Sequence, residues 1–410
     1  MPSSNFEAKM IFDTATWTAA TPSDLVDFLD RKSKSRSSKF GELLAFRSKL
    51  SPLTVYKYLV ARFGEPNGFM TLSKKSKDSD NLVHWDFFIV AGEHRIWIQG
   101  GSRDVQVGIS GRKMRPLDWV KFVNALKGDF RNHGKEMNAV GQRLQKWKLV
   151  SNRHALIAEV CAEYHEVLSE NGASPDFSVP RRTSSKGIKQ YQRKIRGMGA
   201  RASKLFGAAI SLDILTPILV ESFINLLIFA LRREELRQNV RQYETFVRQP
   251  IDTRVFDLHL KCEGFIGGVD TSRSEYKNFK KVMDRRNLRV HGNVDVSMDE
   301  VEEVFFDDYI PLYREGGDPI LTFFKNQEKV FDIDGALERY HHAHEFMAYV
   351  RSLVTRKRME ELNLMMEDMS FGFDESRKIM GRLFPSHEAM MVLPVQYDDE
   401  LNVDWGKGVE

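Results

Sequence analysis

An apolar run from Ile214 to Leu231 most constrains what this chain can fold into. The run is about long enough to span a bilayer, but it contains Pro217, Glu221 and Asn225, which are costly or awkward in lipid. We interpret it as the buried helix of a soluble protein and expect no membrane partner. Other elements must cover such a helix, and 410 residues suffice for two or three domains with large cores.

Composition narrows the class of protein further. Hydrophobic residues make up 42% and charged residues 29%, which disfavours global disorder and a fibrous architecture. The net charge of +4 is too small to indicate a nucleic-acid partner by itself. Cys161 and Cys262 are far apart and form neither a disulfide framework nor a zinc cluster, which favours a reducing compartment. Since the N-terminus carries no secretory pattern, we predict a cytoplasmic protein.

The expected fold class is α+β, beginning with a mixed α/β domain over residues 1–150. Runs at 85–91, 94–99 and 104–109 are rich in β-branched and aromatic residues and predict a small antiparallel meander. Helices are expected over 54–63 and 117–126. This domain shows no phosphate loop, metal cluster or nucleophile with its base. A packing or dimerisation unit and a sensor therefore both stay open.

Residues 151–204 are expected to form a helix followed by a basic linker. Helical spacing over 140–172 ends at Asn171 and Gly172, and a linker is predicted over 173–204. The sequence from 181 to 204 has nine Lys and Arg residues and no acidic residue. Such a stretch can contact a phosphate backbone or remain a solvated linker, and both interpretations stay open. The candidate RNA contacts here are Arg193, Lys194 and Arg196.

A helical domain is expected over 205–330, followed over 331–410 by C-terminal helices and an acidic tail. The predicted helices cover 212–232, 234–248, 255–265, 274–288, 298–312, 319–328 and 334–366.

The segment 284–293, DRRNLRVHGN, carries the chemistry. Arg286, Asn287 and His291 are expected on one side of a helical segment. An imidazole can move a proton near neutral pH, a guanidinium can hold a phosphate, and a carboxamide can orient either group. This set suits metal-free transphosphorylation of RNA.

The spacing of Arg and His alone is weak evidence. Arg also precedes His by five positions at Arg254/His259, Arg339/His344 and Arg382/His387. Only Arg286 is followed by Asn, lies after a helix and has a Gly directly behind its His.

The run RRNLRVHG, behind the helix at 217–234, resembles the HEPN superfamily of helical ribonucleases. The resemblance covers about residues 210–330. It implies an all-α bundle whose motif Arg and His face a second copy across a homodimer. The composite site would cut single-stranded RNA without a cofactor or metal, leaving a 2′,3′-cyclic phosphate and a 5′-hydroxyl. His291 would be the general acid or base, Arg286 the phosphate clamp and Asn287 its positioning partner. The resemblance also implies a role as a toxin or defence effector, open to a regulatory protein partner.

Polar residues outside the motif could support the site or bind a metal. Glu221 and Asn225 lie one turn apart in the apolar helix and are expected to line or brace the site, the alternative being its solvent side. Arg285 and Arg289 are auxiliary phosphate contacts or surface charges. The cluster His341, His342, His344 and Glu345 has the spacing of a helical half-site, but no third ligand is identifiable, so no metal is predicted. The alternative function is a catalytically silent HEPN module that binds RNA or nucleotide as an assembly scaffold.

Overall fold

The computed structural model divides the chain into two compact units, residues 1–146 with 383–410, and Trp147–Arg382. It describes residues 10–27, 44–48, 50–73, 83–101, 103–110, 114–170, 187–291, 300–366, 368–383 and 396–397. The side chains of 44–45, 287–291, 364 and 396–397 lie outside this description. The architecture is mixed α+β and mainly helical, as the sequence predicts.

Unit 1 is built on a sheet. Its labelled strands are β1 (Thr18–Ala19), β2 (Leu44–Ser48), β3 (Trp85–Ala91), β4 (His94–Gly100) and β5 (Val105–Ile109). They pair antiparallel in the order β1-β3-β4-β5-β2, and the strand Gln396–Tyr397 adds to β2 in parallel. The predicted meander is confirmed as β3, β4 and β5. Gly92, with φ +60°, permits the tight turn between β3 and β4.

Helices cover the sheet of unit 1. They are α1 (Pro52–Phe63), α2 (Phe69–Leu72), α3 (Pro116–Phe130) and α4 (Gly134–Gln142). Ser51 caps α1 by accepting a hydrogen bond from the Thr54 amide, and α1 buries Val55 and Leu59. In the core, the rings of Phe46 and Trp119 stack with centroids 4.6 Å apart. The two helices expected in this unit are confirmed with slightly longer bounds.

Unit 2 is a helical assembly with two small β elements. Its helices are α5 (Arg153–Glu170), α6 (Ile188–Leu231), α7 (Glu234–Gln238), α8 (Val240–Val247), α9 (Ile251–Lys261), α10 (Ser274–His291), α11 (Pro319–Phe331), α12 (Ile333–Ser352) and α13 (Arg356–Met366). The long helix α6 packs against α5 and α12, and α10 packs against α12 and α6. Helices α6 and α11 run across residues 204 and 330, where the sequence suggested domain limits.

Helix α6 is the central element of unit 2. From Ala208 to Leu231 none of its residues is exposed, and Phe223 and Ile224 are fully buried. Pro217 removes one backbone N–H inside the helix without ending it. By length and composition alone this helix could cross a membrane. Because its apolar half is covered by protein, the burial agrees with the interpretation as a core helix.

The basic segment is helical over part of the predicted linker. Helix α6 begins at Ile188, so the linker predicted over 173–204 is wrong over 188–204, where no proline interrupts helical continuity with the packed half. Residues 173–186 lie outside the described residues. Other predicted helices also end earlier. Asn239 caps α8 and separates it from α7, and Leu353–Thr355 separates α12 from α13.

Two predicted helical regions contain strands. Trp147–Ser151 (β6) pairs with β9 (Ser370–Asp374), which also pairs with β10 (Ile379–Gly381). The helix expected over 140–172 is therefore wrong at 147–151, because pairing with a distant segment overrides local spacing. The helix expected over 298–312 is wrong too. Its described part forms a hairpin of β7 (Val304–Asp307) and β8 (Ile310–Tyr313), with Asp308 at φ +49° in the turn.

Both cysteines are buried and free, which confirms that they form no disulfide. Burial raises the pKa of the Cys161 and Cys262 thiols to about 12. Both thiols are therefore protonated and unreactive near neutral pH.

A buried histidine in unit 2 makes stability depend on pH. His154 of α5 lies against the Phe223 ring, with centroids 5.7 Å apart, and burial lowers its pKa from 6.5 to about 4. Between pH 6.5 and about pH 4, His154 is protonated in the unfolded chain but neutral in the folded chain. In this window His154 therefore lowers the unfolding free energy by about 1.4 kcal/mol for each pH unit of acidification. We expect His154→Gln to remove this contribution.

Urea denaturation between pH 6.5 and 4.5 measures this slope. The matched control is His341→Gln, because that side chain is 72% exposed and its removal should change the slope less than removal of His154 does. An identical slope in wild type and His154→Gln would contradict the assignment.

Candidate functional site

Helix α10 carries the Arg-Asn-His motif at its C-terminal end. Its backbone is helical through His291. An α-helix turns about 100° per residue, so Asn287 and His291 lie about 40° apart around the axis, whereas Arg286 and His291 lie about 140° apart. The expectation that all three share one side therefore holds only for Asn287 and His291. The side chains of Asn287, Arg289 and His291 lie outside the described residues.

Glu221 of α6 connects two arginines. Its Oε2 lies 3.0 Å from Nη1 of Arg286, and its Oε1 lies 2.5 Å from Nη2 of Arg254 on α9. Nη1 of Arg254 donates to Oδ1 of Asn225 at 2.5 Å. Glu221 thus contacts the helix that carries the motif, and Asn225 contacts the arginine that also holds Glu221. We call the set Arg254, Glu221, Asn225 and Arg286 the Glu221 cluster.

Arg254 was missed as a site residue. Its side chain is 5% exposed, and both of its partners are the polar residues of the apolar helix. The sequence did hold a signal. Glu221 and Asn225 needed a polar partner on a largely buried helix, and Arg254 stands beside Val255 and near Leu258, which are buried on the same helix.

Arg286 is only partly engaged by this cluster. Its side chain is 35% exposed, and among the described residues its one polar partner is Glu221. A guanidinium offers five N–H donors, so several remain for a ligand. The carboxylate of Glu221 holds Nη1 of Arg286, and about a third of the side chain stays exposed.

Arg285 belongs to a second ion cluster. Its Nε lies 3.9 Å from Oδ2 of Asp213, and its Nη2 lies 3.9 Å from Oδ2 of Asp332. Arg339 reaches the same two carboxylates at 2.5 and 2.9 Å. Asp213 is 1% exposed at its side chain. These contacts fit a helix-packing role for Arg285 better than the auxiliary phosphate contact considered from the sequence.

Both clusters include polar residues of α6 that are spaced by multiples of four positions. Asp213, Pro217, Glu221 and Asn225 follow one another at a spacing of four residues, so each lies about 40° around the axis from the one before it. Asp213 and Glu221 contact the adjacent Arg285 and Arg286 of α10, whereas Asn225 contacts Arg254 of α9. These two carboxylates of α6 therefore help to position the motif helix.

No protein-family model, curated protein or solved structure matches the chain. The resemblance to HEPN ribonucleases therefore rests on the motif of α10 and on the polar positions Glu221 and Asn225.

The predicted RNA contacts lie at the other end of α6. Arg193, Lys194 and Arg196 are exposed, and none of them has an ion-pair partner among the described residues. At 1.5 Å per residue, Arg196 lies about 38 Å along the helix from Glu221. The basic end of α6 is therefore too far from Arg286 to touch the same phosphate, although it can contact a longer RNA strand.

The histidine cluster of α12 forms local contacts. His341 pairs with Glu345 at 3.2 Å, and His344 stacks edge-on against Tyr340 with centroids 4.5 Å apart. Burial, together with the neighbouring His165 and His341, lowers the pKa of His344. Within the described ranges no group of three His, Cys, Asp or Glu residues is arranged to hold a metal ion.

Proposed function

We propose that this chain is a metal-independent endoribonuclease of HEPN type that cleaves single-stranded RNA. The observation that carries the proposal is the Arg286 side chain, which Glu221 holds and which is 35% exposed, on the helix that ends at His291. A buried second arginine, Arg254, fixes Glu221 and so fixes Arg286. A pre-positioned cation on the His-bearing helix is what phosphoryl chemistry needs.

The proposed reaction is an internal displacement at phosphorus. The ribose 2′-oxygen attacks the phosphorus and loses its proton, while the bond to the 5′-oxygen breaks and that oxygen gains a proton. His291 moves one of these protons, and Arg286 neutralises the charge that develops on the phosphate oxygens. The products are a 2′,3′-cyclic phosphate and a 5′-hydroxyl.

A homodimer completes the site in this proposal. Because Arg286 and His291 lie about 140° apart around α10, one helix does not readily aim both at one phosphate. Two facing copies then form two sites, each with Arg286 from one protomer and His291 from the other. A toxin or defence role under a regulatory protein partner belongs to the same proposal.

A catalytically silent module that binds RNA or nucleotide as a scaffold is the second candidate. It is favoured by the pairing of Arg286 with Glu221, since the same contact also serves simple helix packing. The two candidates differ in one outcome, because the scaffold binds RNA without cutting it.

Labelled single-stranded RNA incubated with the full chain in EDTA tests the proposal. We expect cleavage with cyclic-phosphate ends, and no cleavage at a position whose ribose carries a 2′-deoxy substitution, because the nucleophile is missing. DNA of the same sequence is the matched control. Binding without cleavage favours the scaffold, and 5′-phosphate products or a requirement for added metal would overturn the mechanism.

The basic end of α6 is proposed to guide RNA. We expect replacement of Arg193, Lys194 and Arg196 by Gln to weaken RNA binding for all sequences and to lower the slope of log affinity against log salt by about 2. Fluorescence anisotropy at several salt concentrations measures both effects. Cleavage of bound RNA should persist, and an unchanged slope would remove this surface from the RNA path.

A further inference from the structure

The hairpin β7–β8 presents an exposed apolar surface. Every residue from Glu300 to Pro319 is exposed, including Tyr309 at 96% and Phe306 at 68%. The exposed large apolar residues are Val304, Phe305, Phe306, Tyr309, Ile310, Leu312 and Tyr313. A two-stranded hairpin is marginally stable alone in water, and contiguous exposed apolar patches mark interaction sites. The hairpin therefore has the properties of a docking element.

The same segment is strongly acidic. Residues 300–318 contain one basic residue, Arg314, and seven acidic residues, namely Glu300, Glu302, Glu303, Asp307, Asp308, Glu315 and Asp318. Within the described ranges, Glu300, Asp307 and Glu315 have no ion-pair partner. Arg314 lies over the Phe305 ring, 5.5 Å from its centroid. This contact illustrates how the aromatic hairpin accepts a guanidinium by a cation–π interaction as well as by carboxylates.

The chain holds a complementary surface at the N-terminal part of α6. Residues 188–204 contain no acidic residue and six exposed basic ones, Lys189, Arg193, Lys194, Arg196, Arg201 and Lys204. In the part of the chain that the structure describes, no ion pair joins these residues to the acidic hairpin of the same chain. Long Arg and Lys stems also cover apolar surface while their charges reach carboxylates. The two surfaces therefore fit one another between chains.

We propose that the acidic hairpin of one protomer docks on the basic end of α6 of a second copy, and that the second copy returns the same contact. Such a reciprocal exchange closes as a two-fold dimer. Pairing of two hairpins with each other is disfavoured, because it would bring two acidic surfaces together. This contact goes beyond the proposed nuclease function and is separate from the facing α10 helices. It covers the basic surface that is proposed to guide RNA, so RNA and the hairpin compete for it.

A charge exchange tests this contact by sedimentation velocity at low salt without RNA. One variant reverses the hairpin with Glu300→Lys, Asp307→Lys and Glu315→Lys, and the other reverses the helix with Arg193→Glu, Lys194→Glu and Arg196→Glu. Each variant alone should weaken self-association at least about tenfold, because like charges then face each other. An equimolar mixture should recover association, because both contacts of the mixed dimer again join opposite charges.

The matched control reverses three exposed acidic residues of α5, with Glu159→Lys, Glu163→Lys and Glu166→Lys. These changes alter the net charge as much as the hairpin variant and should not alter association. A second hairpin variant, Phe306→Ser with Tyr309→Ser, should weaken association without any change in charge. The proposal is overturned if wild type is monomeric, if the mixture associates no better than its components, or if the control weakens association equally.

Competition with RNA gives a second readout. Single-stranded RNA should dissociate the wild-type hairpin contact, and the Phe306→Ser, Tyr309→Ser variant should bind RNA several-fold more tightly because its basic surface is free. RNA binding unchanged in that variant would refute the competition. Cleavage is measured separately from association. A protein that cleaves RNA but shows no hairpin-dependent association overturns this inference alone. A protein that associates through the hairpin but does not cleave RNA overturns the nuclease proposal alone.

Discussion

We expect His291→Ala and Arg286→Ala each to lower the rate of RNA cleavage by about 10³-fold or more. His291 is proposed to move a proton in the reaction, and loss of such a group typically costs 10²- to 10⁴-fold. Arg286 is proposed to stabilise the charge that forms on the phosphate, and loss of such a group lowers the rate by a similar factor. Initial rates on labelled single-stranded RNA at saturating protein measure both effects.

Folding should survive both changes. Arg286 is partly exposed, and after its removal Glu221 keeps its contact with Arg254. The matched control is His259→Ala, because His259 follows Arg254 at the same spacing as the motif but has no role in the proposed site. Full activity of either motif variant would remove that residue from the mechanism. Loss of cleavage in the His259 variant as well would point to damage of the whole unit.

Mixing the two inactive variants tests whether the site is shared. If one protomer supplies Arg286 and the other His291, half of the dimers in an equimolar mixture contain both variants, and each of these holds one intact site. Cleavage should then recover to about a quarter of the wild-type rate. An inactive mixture whose subunits are shown to exchange would place Arg286 and His291 in the same protomer, even if each residue remains essential.

Local patterns determined the parts of the fold that the sequence predicted well. The meander of β3, β4 and β5 consists of neighbouring segments with aromatic and β-branched residues, and its register follows from short connections such as the turn at Gly92. The same reasoning failed for β6, because its partner β9 lies more than two hundred residues later. The apolar spacing around Val150 predicted a helix, but pairing with the distant strand β9 makes this segment a strand.

The candidate site shows the same division between local and distant information. Glu221 and Asn225 were identifiable because polar side chains in an apolar helix need partners. The signal for their partner Arg254 was weaker, since its pairing with them depends on how α9 packs against α6 in the folded chain. The same limit applied to Arg285, whose contacts with Asp213 and Asp332 join three helices. Sequence identified the groups that need contacts, and packing determined which contacts they make.

Arg254→Met should lower the unfolding free energy of unit 2 by about 3 kcal/mol. The change keeps most of the apolar volume but removes two hydrogen bonds of a nearly buried guanidinium, which leaves Asn225 without this donor and Glu221 with Arg286 alone. Breaking a buried ion pair on one side typically costs 3–5 kcal/mol, and the partial exposure of Glu221 favours the lower end. Urea denaturation followed by circular dichroism at 222 nm measures the effect.

A matched control and a double variant separate the ion pair from simple packing. Arg356→Met removes an exposed pair with Glu360 on α13, in which Arg356 is 93% exposed, and should cost less than about 0.5 kcal/mol. Glu221→Leu combined with Arg254→Met replaces both partners by apolar groups and should recover at least half of the lost stability, because no buried charge is then left without its partner. Equal costs for Arg254→Met and Arg356→Met would show that the Glu221 cluster does not hold α6, α9 and α10 together. In the double variant the fold should be stable, but Arg286 lacks the Glu221 carboxylate. Recovery of stability without recovery of cleavage would therefore show that the Glu221 cluster positions Arg286.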